Sequence, residues 1–169
     1  MKPFARNLAK KSYVLRPELL WFGGRMERGM EIVVANGRID KVRAALGPAD
    51  WSVALMPGFV NAHSHAFQRG MRGLGETFTE GEGSFFTWRH SMYDVVETLS
   101  TASTAYDLTK LAYDEMLDAG ITSVGEFHYI HHAGRVEDAA AGRWNLDSEV
   151  LPAGRDAGIR QVLLHADYV

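Results

Sequence analysis

The feature that most constrains the fold is an apolar run at residues 54–62, which shows no alternation of polar and apolar side chains. Such a run is typical of a strand that is buried on both faces in a parallel sheet. Two further strands are predicted at residues 121–128 and 158–165, and apolar side chains at helical spacing predict a helix over 104–119. A weaker helix precedes the third strand, and Pro152 leaves its continuity open. The order β-α-β-α-β predicts an α/β architecture with right-handed crossovers.

A different pattern precedes the apolar run. Residues 19–55 are short apolar stretches broken by turns, and Asn36-Gly37 between two of them is a strong hairpin signal. These residues predict a small β module, with a domain boundary near residue 55. Residues 66–100 are rich in glycine and aromatic residues and too long for an ordinary connection, which predicts a functional loop with a short helix near residues 85–98.

Composition and charge exclude several classes of protein. The formal charge is -3 and the basic residues are scattered, so the sequence offers no electrostatic surface for nucleic acid. Without cysteine there is neither a disulfide nor a thiolate metal site, and a metal would need imidazole and carboxylate ligands. Neither a signal peptide nor a membrane span is recognisable. We therefore expect a cytoplasmic protein whose partner is a small molecule.

His63 and His65 directly follow the predicted first parallel strand. In an extended chain, residues two apart point to the same face, so the two imidazoles converge. Active sites of parallel α/β arrays form at the carboxyl ends of the strands, where this pair could bind one divalent ion. Zinc suits imidazole ligands, with iron or manganese as alternatives. The alternative is a chance pair on a loop, because short motifs often match by accident.

The context of this pair resembles a known family. Residues 57–65 resemble the first-strand signature of the amidohydrolase superfamily, and residues 61–69 are similar to its form in formimidoylglutamate deiminases. Residues 85–89 and 126–132 resemble two further blocks of that family. The resemblance implies that the chain holds only the N-terminal portion of such an enzyme.

For the fold, the resemblance implies the first three β/α units of a metal-dependent hydrolase (β/α)8 barrel at residues 55–169. Part of a small β-sandwich domain precedes it at residues 1–54. This would be about a third of a barrel enzyme of ordinary length.

For the site, the resemblance implies that His63 and His65 bind the metal, and that Gln68, Arg89 and Tyr129 contact the glutamate portion of the substrate. A dicarboxylate needs cationic and hydroxyl donors, and the planar fork of arginine can bind a carboxylate through two parallel hydrogen bonds. Each residue also has a simpler interpretation. Arg89 could be a solvated charge, Tyr129 could cap the core, and Gln68 could bind loop backbone groups.

A dense polar cluster follows the second strand and comprises Glu126, His128, His131 and His132. One interpretation is a second metal site. The resemblance implies a single metal, which favours a supporting role in which these side chains orient the ligands.

The reaction that the resemblance implies is hydrolysis of the formimino C–N bond of N-formimino-L-glutamate, in histidine degradation. A metal-activated water attacks the formimino carbon, ammonia leaves, and N-formyl-L-glutamate remains. The family also implies a homodimer. In the superfamily, further ligands and the proton-transferring histidine come from later strands, so we expect no catalytic residue within this chain and no activity of the chain alone. Alternatives are an aminohydrolase of the guanine or adenosine type, which would not need Arg89 paired with Tyr129, and a non-catalytic domain.

Overall fold

A computed structural model describes residues 12–74, 83–98, 102–131 and 146–166. The chain divides into two compact units, Met1–Pro57 and Gly58–Val169. The division lies close to the boundary near residue 55, although the domain extents 1–54 and 55–169 stay predictions. None of the helices in the described ranges is long and apolar enough to cross a membrane.

The first unit consists of two small sheets. Its strands are β1 Ser12–Leu15, β2 Pro17–Phe22, β3 Arg25–Glu27, β4 Met30–Ala35, β5 Arg38–Ala44 and β6 Trp51–Leu55. One sheet has the order β1-β4-β5 and the other β3-β2-β6. The predicted hairpin joins β4 to β5, and Asn36 and Gly37 adopt φ values of 51° and 74°. Positive φ at both central residues is what a two-residue hairpin turn of type I′ requires.

The core of the first unit draws on both sheets. Leu20 of β2 is buried together with Ile32 and Val34 of β4. Each sheet therefore buries one face against the other, as in a sandwich.

Glu31 of β4 is a charged residue that is fully buried in this unit. Its carboxylate accepts hydrogen bonds from Nε of Arg43 at 2.8 Å, from Nε of Arg16 at 2.9 Å and from the backbone amide of Leu46 at 3.3 Å. The hydrogen bond from Arg43 is the largest of the influences that hold the pKa of Glu31 below its ordinary value. Paired in this way, a buried carboxylate is compatible with a stable core.

A Glu31→Gln substitution is expected to lower the thermal midpoint at pH 7, because it leaves the two arginines without their buried partner. Since the folded-state pKa of Glu31 is depressed, its contribution is present above the unfolded value of about 4.3 and is lost as the pH falls through the folded value. The difference in thermal midpoint between variant and wild type should therefore be larger at pH 7 than near pH 3. Glu27→Gln, which removes an exposed pair with Arg25, is the matched control and should change little. An equal gap at both pH values would contradict the assignment.

The second unit alternates parallel strands with helices. Its elements are β7 Phe59–Ser64, a 3-10 helix Ala66–Met71, α1 Phe85–Thr98, α2 Ala102–Asp118, β8 Ile121–His128, α3 Asp147–Ala157 and β9 Arg160–His165. The sheet has the order β7-β8-β9, and both pairings are parallel. The predicted order β-α-β-α-β is confirmed, and α3 continues through Pro152.

One expectation about the first parallel strand is wrong. The apolar run at 54–62 is not one doubly buried strand: its start completes β6, and Pro57 and Gly58 separate it from β7. Phe59 and Val60 are 58% and 71% exposed. The physical reason is that, among the described residues, β7 has a paired strand on one side only, and α2 packs on the sheet face that carries Val124.

Candidate metal centre and substrate pocket

A shift of register in β7 decides where the two histidines point. Asn61 pairs with Val124 and Ser64 pairs with Glu126, so β7 has one more residue than β8 between these pairs. The Asn61 amide reaches toward Sδ of Met116 on α2, at 3.8 Å. Because the extra residue restores Ser64 to that same face, His63 and His65 share the opposite one. Bulges of this kind often re-aim side chains beside active sites.

The two imidazoles of His63 and His65 converge, as predicted for a shared ion. Their Nε2 atoms lie 3.0 Å apart, and the rings are nearly perpendicular at 86°. Nδ1 of His65 lies 2.8 Å from the carbonyl oxygen of Phe127. A carbonyl only accepts, so Nδ1 donates and Nε2 of the neutral ring keeps its lone pair. Two ligands on a tetrahedral ion with bonds of about 2.0–2.1 Å are about 3.3 Å apart, so the pair fits a divalent metal.

Aromatic rings surround the pair. His63 stacks on Phe127 with centroids 6.0 Å apart, and Phe127 meets His65 edge-on at 5.5 Å. The Tyr129 ring lies 5.0 Å from His65, and Phe67 lies 5.3 Å from Tyr129. These contacts restrict rotation of the two imidazoles and give the site an apolar wall.

Two of the predicted substrate contacts lie beside the His63–His65 pair. Gln68, on the 3-10 helix, donates from Nε2 to the Tyr129 hydroxyl at 3.0 Å. Met92 of α1 is buried against them, with its Sδ 3.3 Å from that hydroxyl. Gln68 thus contacts a side chain from another element and not only loop backbone. The structure brings Gln68 and Tyr129 together with His65, and their role toward a substrate stays a prediction.

Arg89 lies on α1 one turn before Met92 and is exposed. Its Nε and Nη2 donate to the Tyr93 hydroxyl at 3.0 and 2.7 Å. The described hydrogen bonds of Arg89 thus go to Tyr93 and not to Gln68 or Tyr129. Tyr93 was not predicted, although its spacing of four residues from Arg89 on a helix is a readable signal.

Glu126 holds the backbone directly after the His63–His65 pair. It is buried, and its Oε1 accepts a hydrogen bond of 2.6 Å from the amide of Ala66, the residue after His65. Burial, and then the charge of Glu126, raise the pKa of the neighbouring Tyr113 above its ordinary value. Glu126 therefore fits the supporting role that the sequence favours for it.

His128 and His131 belong to a second cluster, which the sequence predicted only in part. Both lie near Asp147 at the start of α3, and His165 at the end of β9 joins them. Burial lowers the pKa of His128 to about 4, although the charge of Asp147 opposes the shift. Asp147 and His165 were missed, although His165 ends its strand as His128 does. His132 lies outside the described residues.

The comparisons with known proteins agree with this geometry. The sequence profile of the Amidohydrolase family matches residues 54–151, more than half of the chain. The chain belongs to the amidohydrolase family. The matched span of this amidohydrolase includes His63, His65 and all three predicted substrate contacts.

Several known proteins are similar to this amidohydrolase, each over a different share of its length. Formimidoylglutamate deiminase from Pseudomonas aeruginosa is 51% identical over 103 residues, which are 59% of the chain and 22% of that protein. The crystal structure of an amidohydrolase from Brucella melitensis is 28% identical with a TM-score of 0.76, covering 90% of this chain and 34% of that one. An adenosine deaminase from Xanthomonas campestris, solved with bound zinc, is 19% identical with a TM-score of 0.62, over 88% of this chain and 32% of that one, and shows the fold alone.

The chain therefore spans between about a fifth and a third of the length of these proteins. Its mixed α/β architecture corresponds to the N-terminal region of (β/α)8 barrel enzymes, as predicted.

Proposed function

We propose that this amidohydrolase contributes to hydrolysis of the formimino C–N bond of N-formimino-L-glutamate, which gives N-formyl-L-glutamate and ammonia. The observation that carries the proposal is the convergence of the His63 and His65 Nε2 atoms beside the Gln68–Tyr129 pair. The identity of 51% to the Pseudomonas deiminase supports the choice of substrate.

His63 and His65 would hold the divalent ion, for which we propose zinc, with Fe2+ as the alternative. A bound ion supplies Lewis-acid activation of water. The hydrogen bond from His65 Nδ1 to Phe127 fixes the ring so that Nε2 points into the site. Imidazole nitrogens are ligands that zinc accepts, which supports this choice of metal.

Gln68, Tyr129 and Arg89 would bind the two carboxylates of the substrate. The Gln68 amide and the Tyr129 hydroxyl already face each other, and both can donate to an oxygen placed between them. The Arg89 guanidinium donates to the Tyr93 hydroxyl one turn along α1. A substrate carboxylate would replace that hydroxyl as the acceptor. Addition of water to the formimino carbon and loss of ammonia then leave the formyl group.

Replacing Arg89 with alanine is expected to weaken binding of N-formyl-L-glutamate about 10- to 150-fold, because a hydrogen bond to a charged group contributes about 1.5–3 kcal/mol. Isothermal titration of the zinc-loaded chain measures this. His90→Ala, the exposed neighbour on α1, is the matched control and should bind as the wild type does. Equal affinities for both variants would remove Arg89 from the site.

The identity of the substrate is tested by assaying the natural polypeptide that contains these residues. Release of ammonia should be fast with N-formimino-L-glutamate and absent with adenosine and guanine. Release from a purine instead would favour the alternative aminohydrolase. A homodimeric form and a cytoplasmic location stay predictions, and light scattering of the same sample measures the first.

A further inference from the structure

We propose that His128, His131 and Asp147 form a second divalent-metal site that binds zinc or a chemically similar transition metal, separate from the His63–His65 pair. The site lies where the carboxyl ends of β8 and β9 meet the first residue of α3.

The spacing of the ligand atoms suits such an ion. One ligand atom from each of the three residues lies within 4.8 Å of the other two. Oδ1 of Asp147 is 3.1 Å from Nδ1 of His131 and 3.6 Å from Nε2 of His128. The distance between two ligands on a tetrahedral zinc ion is about 3.3 Å, between these two values. Imidazole with one carboxylate is a donor set that zinc accepts.

The hydrogen bonds of His131 point to a cation. Its Nε2 lies 3.0 Å from the carbonyl oxygen of Ala166, and its Nδ1 lies 3.1 and 3.2 Å from the two oxygens of Asp147. Carbonyl and carboxylate oxygens both accept, but a neutral imidazole has one N–H to donate. With that hydrogen on Nε2, the lone pair of Nδ1 faces the carboxylate, an arrangement that a positive ion between them stabilises. The carbonyl of Ala166 then orients the ligand, as backbone carbonyls do for zinc-bound histidines.

The surroundings of His128 distinguish a bound metal ion from simple protonation of His131. Its side chain is buried, with 4% exposed, and its Nε2 has no hydrogen-bond partner among the described residues. Protonation of His131 would satisfy the contact with Asp147 but leave Nε2 of His128 without a partner. A metal bound between the three side chains accounts for both observations. His165 lies at the rim, with its Nε2 3.3 Å from Oδ1 of Asp147.

The two sites lie on opposite sides of β8. Phe127 faces the His63–His65 pair, and the next residue, His128, faces the other way, because side chains alternate along a strand. An ion at the second site would tie the start of α3 to the end of β8, directly before Tyr129. It would thereby hold the backbone directly before one of the proposed substrate contacts.

The test removes the first site and asks whether metal remains. In a His63→Asn/His65→Asn variant of the chain, we expect about one equivalent of zinc after dialysis, measured by mass spectrometry of the metal. Bound Co2+ should give the visible absorption of a tetrahedral site. Adding Asp147→Asn should abolish both signals. Adding Asp156→Asn, an exposed carboxylate on the same helix, is the matched control and should leave both intact.

Two results would overturn the proposal. One is a folded His63→Asn/His65→Asn variant, judged by circular dichroism, that retains no zinc or cobalt. The other is metal retention that Asp147→Asn does not alter. Should that substitution unfold the chain, His131→Gln replaces it, and the thermal midpoint of the His63→Asn/His65→Asn variant with and without Co2+ gives an independent readout. We expect a rise with Co2+, and an unchanged midpoint would count against the site. None of these measurements depends on deiminase activity, so a failure of the second site can be distinguished from a failure of the proposed function.

Discussion

Replacing Tyr113 with alanine is expected to lower the free energy of unfolding of the Gly58–Val169 unit by about 3–5 kcal/mol, the usual range for a buried aromatic residue. Tyr113 is 0% exposed and packs with Ala66, Ala112, Val124 and Ile159. The substitution would open a cavity between α2 and the sheet. Urea unfolding followed by circular dichroism measures the loss.

Two controls separate the packing of Tyr113 from its hydroxyl. Tyr113→Phe keeps the ring but removes the acceptor for Nε2 of Gln161, at 2.8 Å, and should cost about 1–3 kcal/mol. Tyr106→Ala, on the same helix with an exposed hydrogen bond to Asp156, should cost clearly less than Tyr113→Ala. Equal losses for the two alanine variants would show that the Tyr113 ring is not an essential part of this core.

Replacing His63 and His65 with asparagine is expected to weaken zinc binding at their site more than about 100-fold. Substitution of a residue that merely orients a ligand already changes metal affinity about 10- to 100-fold, and here the ligands themselves are lost. Competition with a chromophoric chelator measures the affinity. The experiment is done in an Asp147→Asn background, which removes a ligand of the proposed second site. The measured zinc is then bound by His63 and His65.

His90→Asn is the matched control for this experiment, because His90 is an exposed histidine on α1. It should leave the affinity unchanged in the same background. Zinc binding that survives loss of both histidines would contradict the metal assignment of the pair and, with it, the proposed reaction. Each single variant should fall between wild type and the pair, since one imidazole remains.

Much of the architecture follows from patterns that act over a few residues. Asn36-Gly37 sets the β4–β5 hairpin because its residues accept positive φ. The helical spacing of apolar residues before Gly120 predicts α2 and, with the flanking apolar runs, the β-α-β-α-β order. His63 and His65 are also readable, since their spacing within an extended segment determines that both imidazoles share a face.

For the apolar run at 54–62, the local pattern of side chains does not predict the strands correctly. Hydrophobicity along the chain cannot distinguish one strand buried on two faces from the ends of two strands that belong to different units. Which faces are covered depends on the elements packed against them, and α2 and α3 cover one face of the sheet. The division of the run between the end of β6 and the start of β7 is therefore set by the tertiary structure.

The elements, their order, the family resemblance and the convergence of His63 with His65 could be predicted from the amino-acid sequence alone. Only the tertiary structure showed the register shift between Asn61 and Ser64 that places the pair opposite α2, and the pairing of Gln68 with Tyr129. It alone joined Asp147 and His165 to the buried His128. The physical reason is that convergence of distant side chains depends on strand register and on where each crossover returns the chain, which no local spacing encodes.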